Sequence, residues 1–255
     1  MRVILLMPFL LFTFFVNAQT VNIESYRMHH DTNDFFGNID ATFAFNKNQK
    51  SIMQLGLNSN LEYEKNRNTF MLISIYSWVN TKENGVKDSY LNEGFEHLRY
   101  MYKFAPRFRL ENFFQYQFNM VMNLKQRELL GSVIRYKIID DSTFRAYIGS
   151  GFMLENNKIH DPVLNKYETF QYFKSSSYLT TSVYIGKMRL SNTTYFQFNL
   201  ENYKYRVYSV LESTINIYKH IYYKLSFVIQ YDNDPRYKAP TNLTFSTNNR
   251  ISFTF

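Results

Sequence analysis

Charged side chains recur in this chain at alternate positions between apolar neighbours, and that spacing is suited to one of two kinds of chemistry. Arg99, Arg109 and Glu111, then Arg127 and Arg135, then Arg145 and Glu155, and further on Glu212, Lys224 and Arg250, fall on the polar side of period-two segments. Gathered around an enclosed aqueous space, they would form a basic wall that concentrates anions. Paired with one another, they would be a salt-bridged filling, because charges withdrawn from water need partners. Arg109 and Arg127 are the natural partners for Glu111 on neighbouring segments. Residue types alone leave both readings open.

Catalysis finds less support. A serine nucleophile needs a base within reach, and barrel phospholipases set His and Ser two residues apart on one strand. Here the candidates read His97-Leu98-Arg99 and His220-Ile221-Tyr222. Barrel proteases use acidic pairs near the outer rim. Asp140-Asp141 falls in a turn, and Asp232 and Asp234 are followed by Pro235 with no His beside them. There is no glycine-rich phosphate loop and no nucleophile elbow. His29-His30-Asp31 are adjacent residues, which seldom aim at one ion, and His160-Asp161-Pro162 reads as a turn. The chain has no Cys, which excludes disulfides, thiolate nucleophiles and Cys-based metal sites. No enzyme activity, metal or cofactor is expected.

The elements that position the charges read as strands. From Arg107 to Asn119, Phe108, Leu110, Phe114, Tyr116 and Phe118 alternate with Arg107, Arg109, Glu111, Gln115 and Gln117. Leu98, Tyr100, Tyr102 and Phe104 oppose His97, Arg99 and Lys103 in the same way, and so do Ile221 to Tyr231 with Lys224, Ser226 and Gln230. β-branched and aromatic residues dominate these windows. Such segments number about twelve, centred near residues 41, 57, 74, 97, 113, 132, 149, 181, 198, 212, 226 and 250. An even number lets both ends return to the periplasm, with short turns there and longer loops outside. The short turns are expected at Lys65-Asn66, Ala105-Pro106, Asp140-Asp141, Leu190-Ser191 and Lys219-His220. The longer connections are expected at 81–88, 120–126, 156–174 and 233–243. Asn46 to Lys50 and Tyr203 to Tyr205 are short exceptions.

Composition agrees with an all-β, single antiparallel transmembrane barrel. The chain holds 22 Tyr and 25 Phe, which in a barrel form two interfacial girdles and an outward band. Mean hydropathy is −0.37, which a barrel tolerates because only alternate residues face lipid. The front end, Met1-Arg2 followed by the apolar run Val3 to Val16 and Val16-Asn17-Ala18, reads as a signal peptide over 1–18. A periplasmic segment over 19–35 and a barrel over 36–255 would follow. The last residues, Ile251-Ser252-Phe253-Thr254-Phe255, resemble the signal that barrel-assembly machinery reads on a final strand. Phe253 and Phe255 fill its aromatic positions and Asn248 its polar one, while Arg250 stands where glycine is usual. Net charge is +8, or +7 once Arg2 is removed with the signal (28 Lys and Arg against 21 Asp and Glu). For an exported chain, lipopolysaccharide phosphates or small anionic solutes are the expected anionic partners rather than nucleic acid.

The stretches Phe95-Glu96-His97-Leu98-Arg99-Tyr100, Leu110 to Asn119 and Arg127 to Tyr136 resemble the core of an uncharacterised outer-membrane β-barrel family. Its best-known member is called a salt-induced outer-membrane protein. The resemblance extends from Val21-Asn22-Ile23-Glu24-Ser25 to Tyr231-Asp232-Asn233-Asp234-Pro235 and covers nearly all of the chain after the signal. Val133 departs from it, standing where such proteins often carry a second glycine. The resemblance implies a barrel in the outer membrane, among its lipids, and no particular chemistry. Two functions are therefore expected in order: a small-solute channel with a basic lumen, then a closed-lumen structural or surface-interaction barrel. A lipid-modifying enzyme comes third.

Overall fold

The computed structural model describes residues 22–27, 34–47, 51–83, 86–120, 123–161, 164–233 and 243–255. The signal sequence and His29-His30-Asp31 lie outside them. The chain forms a 3-10 turn, η1 (Ile23–Tyr26), and then twelve strands. These are β1 (Phe35–Lys47), β2 (Ser51–Lys65), β3 (Asn68–Glu83), β4 (Val86–Ala105), β5 (Phe108–Asn119) and β6 (Leu124–Asp140), followed by β7 (Phe144–Asp161), β8 (Lys166–Ile185), β9 (Met188–Asn199), β10 (Tyr205–Tyr218), β11 (Ile221–Asp232) and β12 (Leu243–Thr254). Each pairs antiparallel with its sequence neighbours, and β12 closes on β1 to complete the barrel. Closure removes the unpaired edges that an open sheet would expose. At the seam, the Gly37 N–H donates to the Phe255 carbonyl at 3.0 Å and the Phe255 N–H donates back at 2.9 Å. The Phe255 ring lies over Gly37, where a Cβ would fall 2.3 Å from its Cζ. A side chain at position 37 would displace the terminal ring from the seam.

Tight turns gather at one end of the barrel, at Asn66-Arg67, Pro106-Arg107, 141–143, Gly186-Lys187 and Lys219-His220. One expected turn moves. Leu190-Ser191 lies within β9, and the turn is Gly186-Lys187. Gly186 has φ +57° with open space around it, the left-handed conformation that glycine adopts without penalty. The opposite end also differs from expectation. The connection expected over 156–174 is mostly ladder, with Asp161 opposite Lys166 and Asn156 opposite Gln171. The connection itself is 162–165. Strands β3 and β4 likewise pair as far as Glu83 and Val86, inside the loop expected over 81–88. Beyond the apolar band neither strand face must be apolar, so alternation fades while backbone pairing continues.

With these bounds, a cysteine at Asn165 should react with a membrane-impermeant thiol reagent on intact cells, and one at Ser142 in the β6–β7 turn should not. Reversed labelling would invert the barrel.

Outward-facing rows are apolar across many strands. Leu72 lies opposite Leu98, Leu98 opposite Phe114, Phe114 opposite Leu130, and Leu130 opposite Leu154. Contacting aromatics flank the band near the turn end, with Phe104 stacked on Phe108 and Phe108 tilted against Tyr136. The next outward row toward the long-hairpin end is polar: Ser74 Oγ and Tyr76 Oη donate to Glu96, and Asn156 donates to Glu128. An outward apolar band with aromatics at its edge is a feature of a bilayer-spanning wall.

The interior is packed. Phe113, Leu129, Val133, Met153, Tyr178, Tyr195, Tyr208 and Val210 form one apolar cluster, and Met71, Ile73, Phe95 and Met101 another with Ile23 and Tyr26 of η1. An eight-stranded wall fills its own bore with side chains, and walls of sixteen or more leave an aqueous channel. Twelve strands fall between, so extra chain is needed to fill the centre. The described part of the segment expected to be periplasmic, residues 22–27, supplies it: Asn22, Ile23, Glu24, Tyr26 and Arg27 are buried inside the barrel. β1 then begins at Phe35 rather than residue 36.

Candidate functional site

The site is built around η1. Its Glu24 accepts hydrogen bonds from Arg27 Nε and from Arg135 Nη1 on β6. Arg27 also donates through Nη2 to Glu111 on β5, and Arg99 on β4 donates to the same Glu111 oxygen at 2.6 Å. On the other side, Asn60 Nδ2 on β2 donates to the Tyr26 carbonyl at 2.6 Å, and Arg250 Nη1 on β12 donates to Tyr26 Oη at 3.2 Å. β6 and β12 are half the ring apart in the strand order. The segment therefore bridges opposite walls.

Burial pushes the Glu24 carboxyl toward protonation, but the Arg135 and Arg27 guanidiniums outweigh it and hold its pKa at about 2, below the ordinary 4.5. Burial raises the Tyr26 phenol to about 12, against the opposing pull of Arg250. Glu24 is thus a carboxylate and Tyr26 a neutral phenol at neutral pH, and the ion pairs around η1 are intact.

Each charge singled out in the sequence lies on an interior column. Arg99 and Glu111 join the η1 network, and Arg99 also donates from Nε to His97 Nε2 at 3.1 Å and lies over the Phe113 ring. Arg135 joins it too and stacks on Tyr147 at 4.0 Å. Arg109 lies half-exposed toward the turn end, opposite Arg135 in the register. Arg127 and Glu155 belong to a separate network nearer the other end. There Arg127 Nε donates to Asn157 at 2.8 Å and lies 3.6 Å from Glu155, while Lys174 Nζ donates to Glu155 at 2.7 Å. The partnership of Glu111 with Arg109 and Arg127 is thus replaced by Arg27 and Arg99, because antiparallel register sets Arg127 opposite Asn157 rather than beside Glu111. Glu212 accepts from Arg250 and lies 3.6 Å from Arg189. Lys224 pairs with Asp40 at 3.2 Å, and Arg145 with Asp140 at 3.1 Å.

Sequence reasoning missed Glu24 and Arg27, which carry the bridge. Their signal was faint: an acid and a base three apart in a short segment before the first alternating window. It also missed Asp40, Asn60 and Lys174, whose inward parity was readable once β1, β2 and β8 were bounded. Among the described residues no group of His, Cys, Asp and Glu is arranged to hold a metal ion.

Between η1 and the turn end lies a cavity of about 420 Å³, roofed by Tyr26 and Arg27 and lined by Arg145, Lys187, Arg189 and Lys224 with uncharged neighbours. A smaller cavity of about 120 Å³ lies on the other side, lined by Glu93, Glu212, Arg250 and polar residues of β1, β2 and β11.

The architecture is shared with solved outer-membrane barrels. An outer membrane channel from Pseudomonas putida F1 superposes with a TM-score of 0.55 at 8% identity, covering 92% of this chain and 100% of that one. The translocator domain of the autotransporter NalP from Neisseria meningitidis gives 0.52 at 10% identity, covering 88% and 89%. The NanC porin gives 0.50 at 9%, covering 86% and 98%. At these identities the likeness is one of fold. No protein of curated function matches the chain. Residues 32–253 match the family described as "Protein of unknown function, DUF481", and the chain belongs to that family.

Proposed function

We propose that this protein is an integral barrel of the outer membrane whose lumen is closed at rest by its own N-terminal segment. It acts as a structural or surface-interaction component of the envelope rather than as an open solute channel. The carrying observation is η1, which ties Arg135 of β6 and Arg250 of β12 together across the interior. The outward apolar rows and flanking aromatics support residence among outer-membrane lipids, with lipopolysaccharide at the long-hairpin end. Phe253 and Phe255 support delivery by barrel-assembly machinery. Enzyme activity is not part of the proposal.

Single-channel recording tests this reading. Refolded protein in a planar bilayer should show no discrete conductance steps. The double variant Glu24→Gln/Arg27→Gln, which removes both charges of the bridge, should show them. Steady steps from the unaltered protein would return the open channel with a basic lumen to first place.

A further inference from the structure

The cavity on the turn side of η1 has a charge arrangement that the closed barrel does not explain. Asp40 and Glu212 are shared among three cations. Lys224 and Arg250 lie 3.2 and 3.6 Å from Asp40, and Arg250 and Arg189 lie 2.5 and 3.6 Å from Glu212. Lys187 adds a further positive charge at the exposed turn beside them. With Arg145 and its partner Asp140 included, three carboxylates therefore face five cations. In addition, Arg189 Nε has no hydrogen-bond acceptor among the described residues, its guanidinium reaching Glu212 only through Nη2 at 3.6 Å, while Arg145 Nε is paired with Asp140 at 3.1 Å. A buried donor left unmade costs free energy. The charged side chains that line the cavity, Arg27, Arg145, Lys187, Arg189 and Lys224, are all cationic, and such a wall favours an anion.

We propose that this vestibule binds a small soluble oxyanion, of the phosphate or phosphate-monoester class, entering from the turn end. Arg189 and Arg145 would supply guanidinium donors, Lys187 a flexible ammonium at the rim, and Thr214 and Asn38 polar groups on the wall. Arginine suits phosphate because its planar fork offers parallel donors to tetrahedral oxygens. The volume of about 420 Å³ lies in the range of small-ligand pockets, roughly 300–1,000 Å³. Arg27 in the roof is already committed to Glu24 and Glu111, so binding does not require the bridge to move. The site stands whether or not the lumen ever opens.

The experiment is calorimetric titration of the refolded barrel with inorganic phosphate at neutral pH and low salt. Saturable binding is expected. The double variant Lys187→Gln/Arg189→Gln should weaken it at least about tenfold, the loss of a charge-assisted hydrogen bond and a neighbouring charge. Lys187→Gln alone changes only an exposed turn residue, so it should leave folding intact and still weaken binding. No saturable heat with phosphate, or affinity unchanged in both variants, would overturn the site. Binding seen only when phosphate is presented as the headgroup of anionic phospholipid vesicles would overturn it as well. Conductance is silent on this question, so the site and the closed lumen can fail separately.

Discussion

Glu111→Gln should lower the folding stability of the barrel by about 3–5 kcal/mol, the range for breaking a buried ion pair by removing one partner. Glu111 is 0% exposed and serves two guanidiniums at once, Arg27 of the bridge and Arg99 of the wall. Glutamine keeps the shape and removes the charge, so both arginines stay buried with one counter-charge fewer. In a wet lumen, water would solvate them and the loss would be small. Urea-dependent folding into detergent micelles, followed through the single Trp, Trp78, checks the figure. Arg109→Gln is the internal comparison. Arg109 is half-exposed toward the turn end, and its loss should stay within about 0.5 kcal/mol, as for surface changes away from such features. Equal, small losses for the two variants would mean the interior is hydrated rather than packed.

Phe114→Arg should cost about 2–4 kcal/mol if its side chain meets hydrocarbon near the midplane. Phe114 is outward-facing and lies between Leu98 and Leu130 in the apolar row. Phe108 lies on the same outward column at the turn end of β5, within the aromatic girdle. Phe108→Arg should therefore cost less, about 0–1 kcal/mol for the charge itself, because depth sets the penalty. Folding into phospholipid vesicles under urea measures both. Equal costs at the two depths would contradict the placement of the band. Gln115, next in the chain, faces the interior instead, where it lies beside His97 and donates to Gln117.

The sequence was legible where one face of a strand had to be apolar. Within the band, Leu98, Phe114 and Leu130 must face outward while Arg99, Gln115 and Leu129 face inward, and that demand writes a period of two. Hence the strand count and most turn positions could be read. It was less legible beyond the band, where Tyr167 to Gln171 pair with 156–160 without any constraint on side-chain polarity. It failed at Gly186 because a lone glycine carries less signal than an alternating run. It was least legible at η1. A six-residue stretch has no periodicity to read, and its place is fixed by partners distant in sequence: Asn60, Glu111, Arg135 and Arg250. The inward charges were likewise visible as a set but not as pairs, since pairing depends on register around the ring.

The most direct test of the central claim, that residues 22–27 bridge the lumen, is photo-cross-linking in isolated outer membranes. A benzophenone amino acid at Ile23 places a reactive carbonyl in the cluster formed by Met71, Ile73, Phe95 and Met101. Mass spectrometry should find the adduct within the same chain, on β3 and β4, with methionine-containing peptides foremost. An absence of intramolecular adducts, or capture of periplasmic proteins in their place, would contradict the bridge and put the segment outside the barrel.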